Sequence, residues 1–332
     1  MKMTKYLMLA GVAVALSACE KNDDTTPKDG VIAEFTTNLA TRVQSRMADA
    51  AWDDKDVIGI FTLDDELDGV TVDGMAQHNT GVNLKYTLEG GKWDGGATAF
   101  RFKNPVVTPV TFKAYYPYQE DSKITGGTTG LIDGTIEVDA SSQAVADQKT
   151  FDFLFADKSD KEGKTACTGS KGAPNVNFQF THSMAKVIIE LKAGTGVTFE
   201  QVQKMVPTLK GLKAKGTFSL ADGKVTASDA PAVFLVLSNA TEDTESDPNT
   251  KSFVAIVPPQ TAQGDTDAPE LSIAEDVSDV YRSAKILSAA TLEAGKSYKF
   301  TITVMKLELI VESSEITDWV AGTGGAGDAV LQ

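Results

Sequence analysis

The chain has 332 residues, with 31 Lys and Arg against 46 Asp and Glu and a formal net charge of −15. An acid excess of that size repels polyanions and excludes nucleic acid and anionic lipid surfaces as partners. A chain this long is expected to fold as two domains, each able to bury its own core.

In chain order, Lys2 and Lys5 precede an apolar run over 6–18, the make-up of a secretory signal. The run is about thirteen residues, shorter than the roughly twenty that a membrane span needs. Leu16, Ser17 and Ala18 then lead into Cys19 and the acidic stretch "CEKNDD". This junction resembles the lipobox of bacterial lipoproteins, in which the cysteine is acylated before cleavage. Cys19 is the expected lipidation site and 1–18 the expected signal peptide. Stable anchoring takes at least two membrane-binding signals, which several acyl chains would supply in the outer membrane. Residues 19–30 read as an acidic flexible tether, because 20–30 hold no apolar side chain to bury. Acidic residues close behind the cysteine also resemble the surface-export signal of Bacteroidetes lipoproteins. Loss of Lys2 and Lys5 would take the charge from −15 to −17. With Cys19 carrying lipid, Cys167 has no partner for an internal disulfide.

Beyond the tether, short alternating runs bounded by Gly, Asn, Asp and Pro predict an all-β protein. Strands are expected at 31–43, 56–63, 110–118, 183–193, 252–258 and 297–311. Within 186–192, Val187, Ile189 and Leu191 form one apolar face. In 297–311 the alternation of Tyr298, Phe300, Ile302 and Val304 slips phase near Met305 and Lys306, so a bulge or turn is expected there. "FEQVQKMV" is the best helical candidate. The glycine-rich stretch over 161–175 is the expected boundary, dividing an N-terminal domain, 31–172, from a C-terminal one, 173–332.

Sites for chemistry are sparse. His78 and His182 stand far apart, which excludes a zinc motif of the HExxH type. Ser183 and Lys186 have S-x-x-K spacing, but on an expected strand, where residues three apart face opposite sides. "AGKSY" has Ala290 where a phosphate loop needs its first glycine. Asp64, Glu66, Asp68 and Gly69 resemble the start of a calcium loop, yet Met75 occupies the twelfth place that needs a bidentate acid; a solvated acidic turn is the other reading. Asn239 begins an N-x-T sequon. Tyr115, Tyr116 and Tyr118 are either core contacts or a shelf for stacking sugars. No catalytic, metal or cofactor set emerges, and an enzyme is not expected.

The segments "ATRVQSRMADAAWDDKDVIGIF", "FDFLFADK", "VNFQFTHSMAKVIIEL", "AIVPPQ", "LEAGKSYKFTITV" and "EITDW" occur in an order that resembles the fimbrillin family of Bacteroidetes, lipoprotein pilins and their minor relatives. The resemblance implies two transthyretin-like β-sandwich domains in tandem. It also implies a surface fimbrial subunit that supports adhesion and assembles by donor-strand exchange. In that scheme an arginine-specific surface protease cuts behind the first strand, at Arg46 or Arg42, with Arg46 favoured because 47–50 read as an accessible loop. Loss of the strand exposes unpaired backbone for another subunit's strand to fill. The candidate donor tail is Ala329, Val330 and Leu331. Expected partners are other fimbrial subunits, in a homo- or hetero-polymer, the protease, and a host or bacterial surface receptor. The alternative is a monomeric surface adhesin or glycan-binding lipoprotein that keeps its first strand.

Overall fold

A computed structural model describes residues 30–39, 52–62, 70–72, 75–77, 82–102, 109–127, 131–159, 166–228, 233–239, 249–261, 269–275, 278–286 and 291–319. Among them the fold is all-β apart from two short α-helices and two 3-10 turns.

The first sheet runs in the order Glu34–Leu39, Asn175–His182, Leu154–Ala156, Val110–Tyr116, Val57–Thr62, Leu84–Glu89 and Lys92–Asp94, with Cys167–Gly169 also paired to Val110–Tyr116. Period-two alternation sends its side chains to two different cores. Ile58, Ile60, Val110, Phe112, Ala114, Leu154 and Ala156 line one face. Phe61, Tyr115 and Phe155 line the other. Gly59 lies opposite Tyr115, and a Cβ there would sit 2.1 Å from the tyrosine ring, so only glycine lets that ring lie across the strand.

The second face is covered by a four-stranded sheet, Ile124–Thr125, Thr135–Asp139, Lys215–Ser219 and Val225–Ala227, drawn from both halves of the chain. Phe153 stacks on Phe218 at 4.6 Å, and Met184, Ile256 and Trp319 close the same core from the C-terminal half. The side-chain amide of Gln143 ties the halves further. It donates to Ile256 O at 2.9 Å and its Oε1 accepts from Ile256 N–H at 2.9 Å, as a peptide unit in a ladder would.

The C-terminal half is a sandwich. A five-stranded sheet, Ser238–Asn239, Thr250–Val257, Ala185–Ala193, Lys296–Val304 and Leu309–Asp318, faces Val233–Val236, Val206–Leu212, Glu270–Glu275 and Ser278–Lys285. Val187, Ile189 and Leu191 are wholly buried between them, as the alternation predicts. The phase slip at Met305 and Lys306 is a hairpin turn, in which Met305 N–H donates to Glu308 O at 2.9 Å. The expected helix is Phe199–Gln203, started by a Thr198/Gln201 capping box. It is shorter than the sequence pattern, because Val206 already belongs to a strand.

Candidate functional site

The ribbon over 31–39 is seated at the rim of the first sheet. Val31 and Ile32 pair antiparallel with Phe102 and Arg101, and Glu34–Leu39 pairs parallel with Asn175–Phe180. Between these ladders Ala33 N–H donates to Phe100 O at 2.9 Å and Glu34 N–H to Pro174 O at 3.0 Å. Alternation turns Ala33 and Phe35 into the core, where they are 3% and 5% exposed. The Phe35 ring stacks on Phe178 at 5.4 Å and meets Tyr86 at 5.0 Å and Phe112 at 5.2 Å edge-on. Two residues on, Thr37 Oγ1 accepts the indole N–H of Trp93 at 2.9 Å. Removal of the ribbon would therefore uncover an aromatic trench and one side of the Asn175–His182 backbone.

The chain re-enters the fold at Trp52. Its ring packs edge-on against Trp93, Tyr116 and Phe180, all within 5.3 Å. Leu39, where the ribbon ends, is in register with the same Phe180. Leu39 and Trp52 thus meet the same residue of the template strand. A tight turn holds the re-entry point: Asp53 N–H donates to Asp56 Oδ2 at 2.7 Å, and Lys55, at φ +77°, donates its N–H to Leu88 O at 2.8 Å. Tyr116 donates its hydroxyl to Asp56 Oδ1 at 3.2 Å. Burial, then the Asp56 carboxylate, push the Tyr116 hydroxyl well above its usual range.

At the other end of the template strand, His182 bonds Asp152 through Nδ1 at 3.0 Å and stacks flat on Trp319 at 3.8 Å. Lys186 lies over the other part of this cluster, 5.4 Å from the Trp319 ring centre. Trp319 N–H donates to Gly295 O, while its buried indole N–H has no hydrogen-bond partner. The last described residue of the chain is thereby clamped beside the strand that templates the first ribbon.

Several expected site residues, namely Cys19, Arg42, Arg46, the Asp64–Gly69 acids, His78, and Ala329, Val330 and Leu331, lie outside the described residues. Ser183 and Lys186 are buried at the start of Ala185–Ala193 and flank no cavity described above. Tyr115 is wholly buried; its hydroxyl donates to Asn83 Oδ1 at 3.1 Å and accepts from Gln119 N–H at 3.2 Å. It is a core residue and offers no face to a sugar. Tyr118 is the more open ring, with the Lys85 ammonium 5.2 Å from its centre, and its hydroxyl is pushed up to about 12 by burial and then by Glu120. Sequence reading did not single out Phe35, Trp52, Gln143 or Trp319; an isolated aromatic next to a charged stretch, as in "EITDW", was the available signal for the last.

Residues 41–319 match the fimbrillin-like family. A candidate fimbrium subunit, Fim1C of Bacteroides uniformis, is 28% identical over 338 residues, covering 98% of both chains. A candidate fimbrium tip subunit of Bacteroides ovatus is 26% identical over 199 residues, which is 58% of this chain and 36% of that one. Among solved structures, a candidate cell adhesion protein of Bacteroides uniformis aligns with a TM-score of 0.62 and 25% identity, covering 87% of this chain and 99% of the other.

Proposed function

The chain belongs to the fimbrillin-like family, a family of fimbrial and adhesion proteins rather than enzymes, and we propose that it is a surface fimbrial subunit assembled by donor-strand exchange after its opening ribbon is cut away. One observation carries this reading: the ribbon is a rim strand whose inward face fills an aromatic trench, and the chain returns to the same spot at Trp52. A cut between them severs the ribbon while Trp52 keeps the rest anchored. Arg46 and Arg42 fall in that interval and are the proposed cleavage sites for an arginine-specific surface protease. The vacated edge then presents unpaired N–H and C=O groups along Asn175–His182, and a strand from a neighbouring subunit restores the ladder.

The proposal includes export as a lipoprotein, with Cys19 acylated and held in the outer membrane until assembly, and a cell-surface location in the fimbrium. It includes other fimbrial subunits as partners and adhesion as the outcome. It also takes 31–172 and 173–332 as two transthyretin-like sandwiches that share strands, since Asn175–His182 lies in the first sheet and Thr135–Asp139 pairs with Lys215–Ser219. The tail residues Ala329, Val330 and Leu331 are the chain's own candidate donor.

The test is to treat purified precursor with an arginine-specific protease, sequence the new N-terminus and follow mass in solution. The expected result is a start at Met47 or Val43, followed by oligomers once the other subunit types are supplied. A chain that stays folded and uncut at both arginines, or that is cut and stays monomeric with every subunit type supplied, overturns the reading.

A further inference from the structure

The trench reads the strand that enters it at three alternate positions. Ala33 is buried in the first core, its N–H bonded to Phe100 O beside the Val31–Phe102 pair, and a larger side chain there would overpack the core. Phe35 supplies a ring to a cluster of four others, Tyr86, Phe100, Phe112 and Phe178, whose edges and faces are already arranged around it. Thr37 supplies the oxygen that the buried Trp93 indole N–H requires. The ribbon itself runs parallel to Asn175–His182, and in that direction the ladder places position 35 over Val176 and position 37 over Phe178.

The acceptor therefore demands a small residue, then an aromatic two places on, then a Ser or Thr two places further. Within the 332 residues this pattern occurs once, at Ala33, Phe35 and Thr37 themselves. The tail residues Ala329 and Leu331 place leucine where the trench is built around an aromatic ring. We infer that the vacated trench is filled by a different subunit, one carrying an extended small–x–aromatic–x–hydroxyl segment, so that this chain takes its place in a hetero-polymer as an acceptor for another chain's strand. The inference rests on the donor-strand reading above and adds to it the identity class of the donor and the residues that select it.

The experiment uses the full chain carrying a specific protease site in place of 44–49, cut and left with its ribbon bound. Labelled peptides then compete for the trench: the native 31–39 sequence, its Phe35→Leu, Thr37→Val and Ala33→Phe versions, and a peptide of 322–332. Native peptide should displace the ribbon. The Phe35→Leu and Thr37→Val peptides should each need about tenfold more, a loss near 1.4 kcal/mol, and the Ala33→Phe and tail peptides at least about tenfold more. Tail peptide that matches the native one would make the chain its own donor and overturn the inference while leaving strand exchange standing. Equal displacement by all peptides would show that the trench selects nothing at these positions. If even native peptide fails to exchange while the cut chain stays folded, strand exchange itself falls, and the inference with it.

Discussion

The opening ribbon Glu34–Leu39 and the closing strand Leu309–Asp318 both lie at the rim of a sheet, yet they are held by different means. The closing strand makes a nine-pair antiparallel ladder with Lys296–Val304, and nearly all its side chains face solvent, including Ile310, Val311 and Ile316. The opening ribbon has a shorter parallel ladder, a weaker pairing per residue, but drives Ala33 and Phe35 into the core. Backbone pairing holds the one and side-chain burial holds the other. A strand fixed chiefly by what it buries can be replaced by any strand that buries the same shapes. Its loss also leaves an apolar surface that favours refilling.

The sharpest break in this comparison comes from Phe35→Ala. Loss of a ring from a filled aromatic core costs about 3–5 kcal/mol, measurable as a shift in the denaturant midpoint of the uncut chain; a loss below about 1 kcal/mol would mean that the ribbon is held by its backbone after all. Thr37→Val comes next. It strands the Trp93 N–H, and an expected destabilisation of about 1–2 kcal/mol should appear as faster loss of the ribbon after cleavage.

Alkaline titration probes the sheet that seats the opening ribbon. Burial holds the hydroxyls of Tyr86 and Tyr115, both in or behind the first sheet, far above the usual tyrosine range. Above a pH near 10 the unfolded chain ionises these groups and the folded chain does not, so the unfolded state binds fewer protons and stability falls as pH rises. The slope is up to ~1.4 kcal/mol per pH unit for each tyrosine, and Tyr86→Phe should remove one share of it. A pH profile unchanged by that substitution would contradict the assignment. The smallest effect belongs to the closing strand: Ile316→Ala should stay within about 0.5 kcal/mol of the parent in the same unfolding assay. A larger cost there would bring the two rims closer than their burial implies.

Much of this was legible in the sequence, and the failures have physical reasons. Alternation placed strands at Val57–Thr62, Val110–Tyr116, Ala185–Ala193 and Thr250–Val257 because each is long and one face of each is apolar. The ribbon's inward face, Ala33 and Phe35, obeys the same period, but nothing local says that its partner is Asn175–His182 or that the pairing is parallel. That partnership spans some 140 residues and is decided by which cores close. The sheet joining the halves was hidden for a similar reason. Ile124–Thr125 is only two residues long and Gly134 closes against it in a stretch that reads as glycine-rich spacer. Gln143 gave no signal, since a polar side chain that imitates a peptide unit is recognisable only beside the backbone it pairs with. Trp319 falls within "EITDW", but its place against His182 depends on the turn that brings the last strand back to the template.

The central claim, that the ribbon is a separable rim strand, is tested most directly by hydrogen–deuterium exchange on the chain before and after cleavage and removal of the ribbon. Peptides covering Asn175–His182 should lose protection while those covering Ala185–Ala193 keep it. Loss of protection in both, or no change in either, would contradict the account.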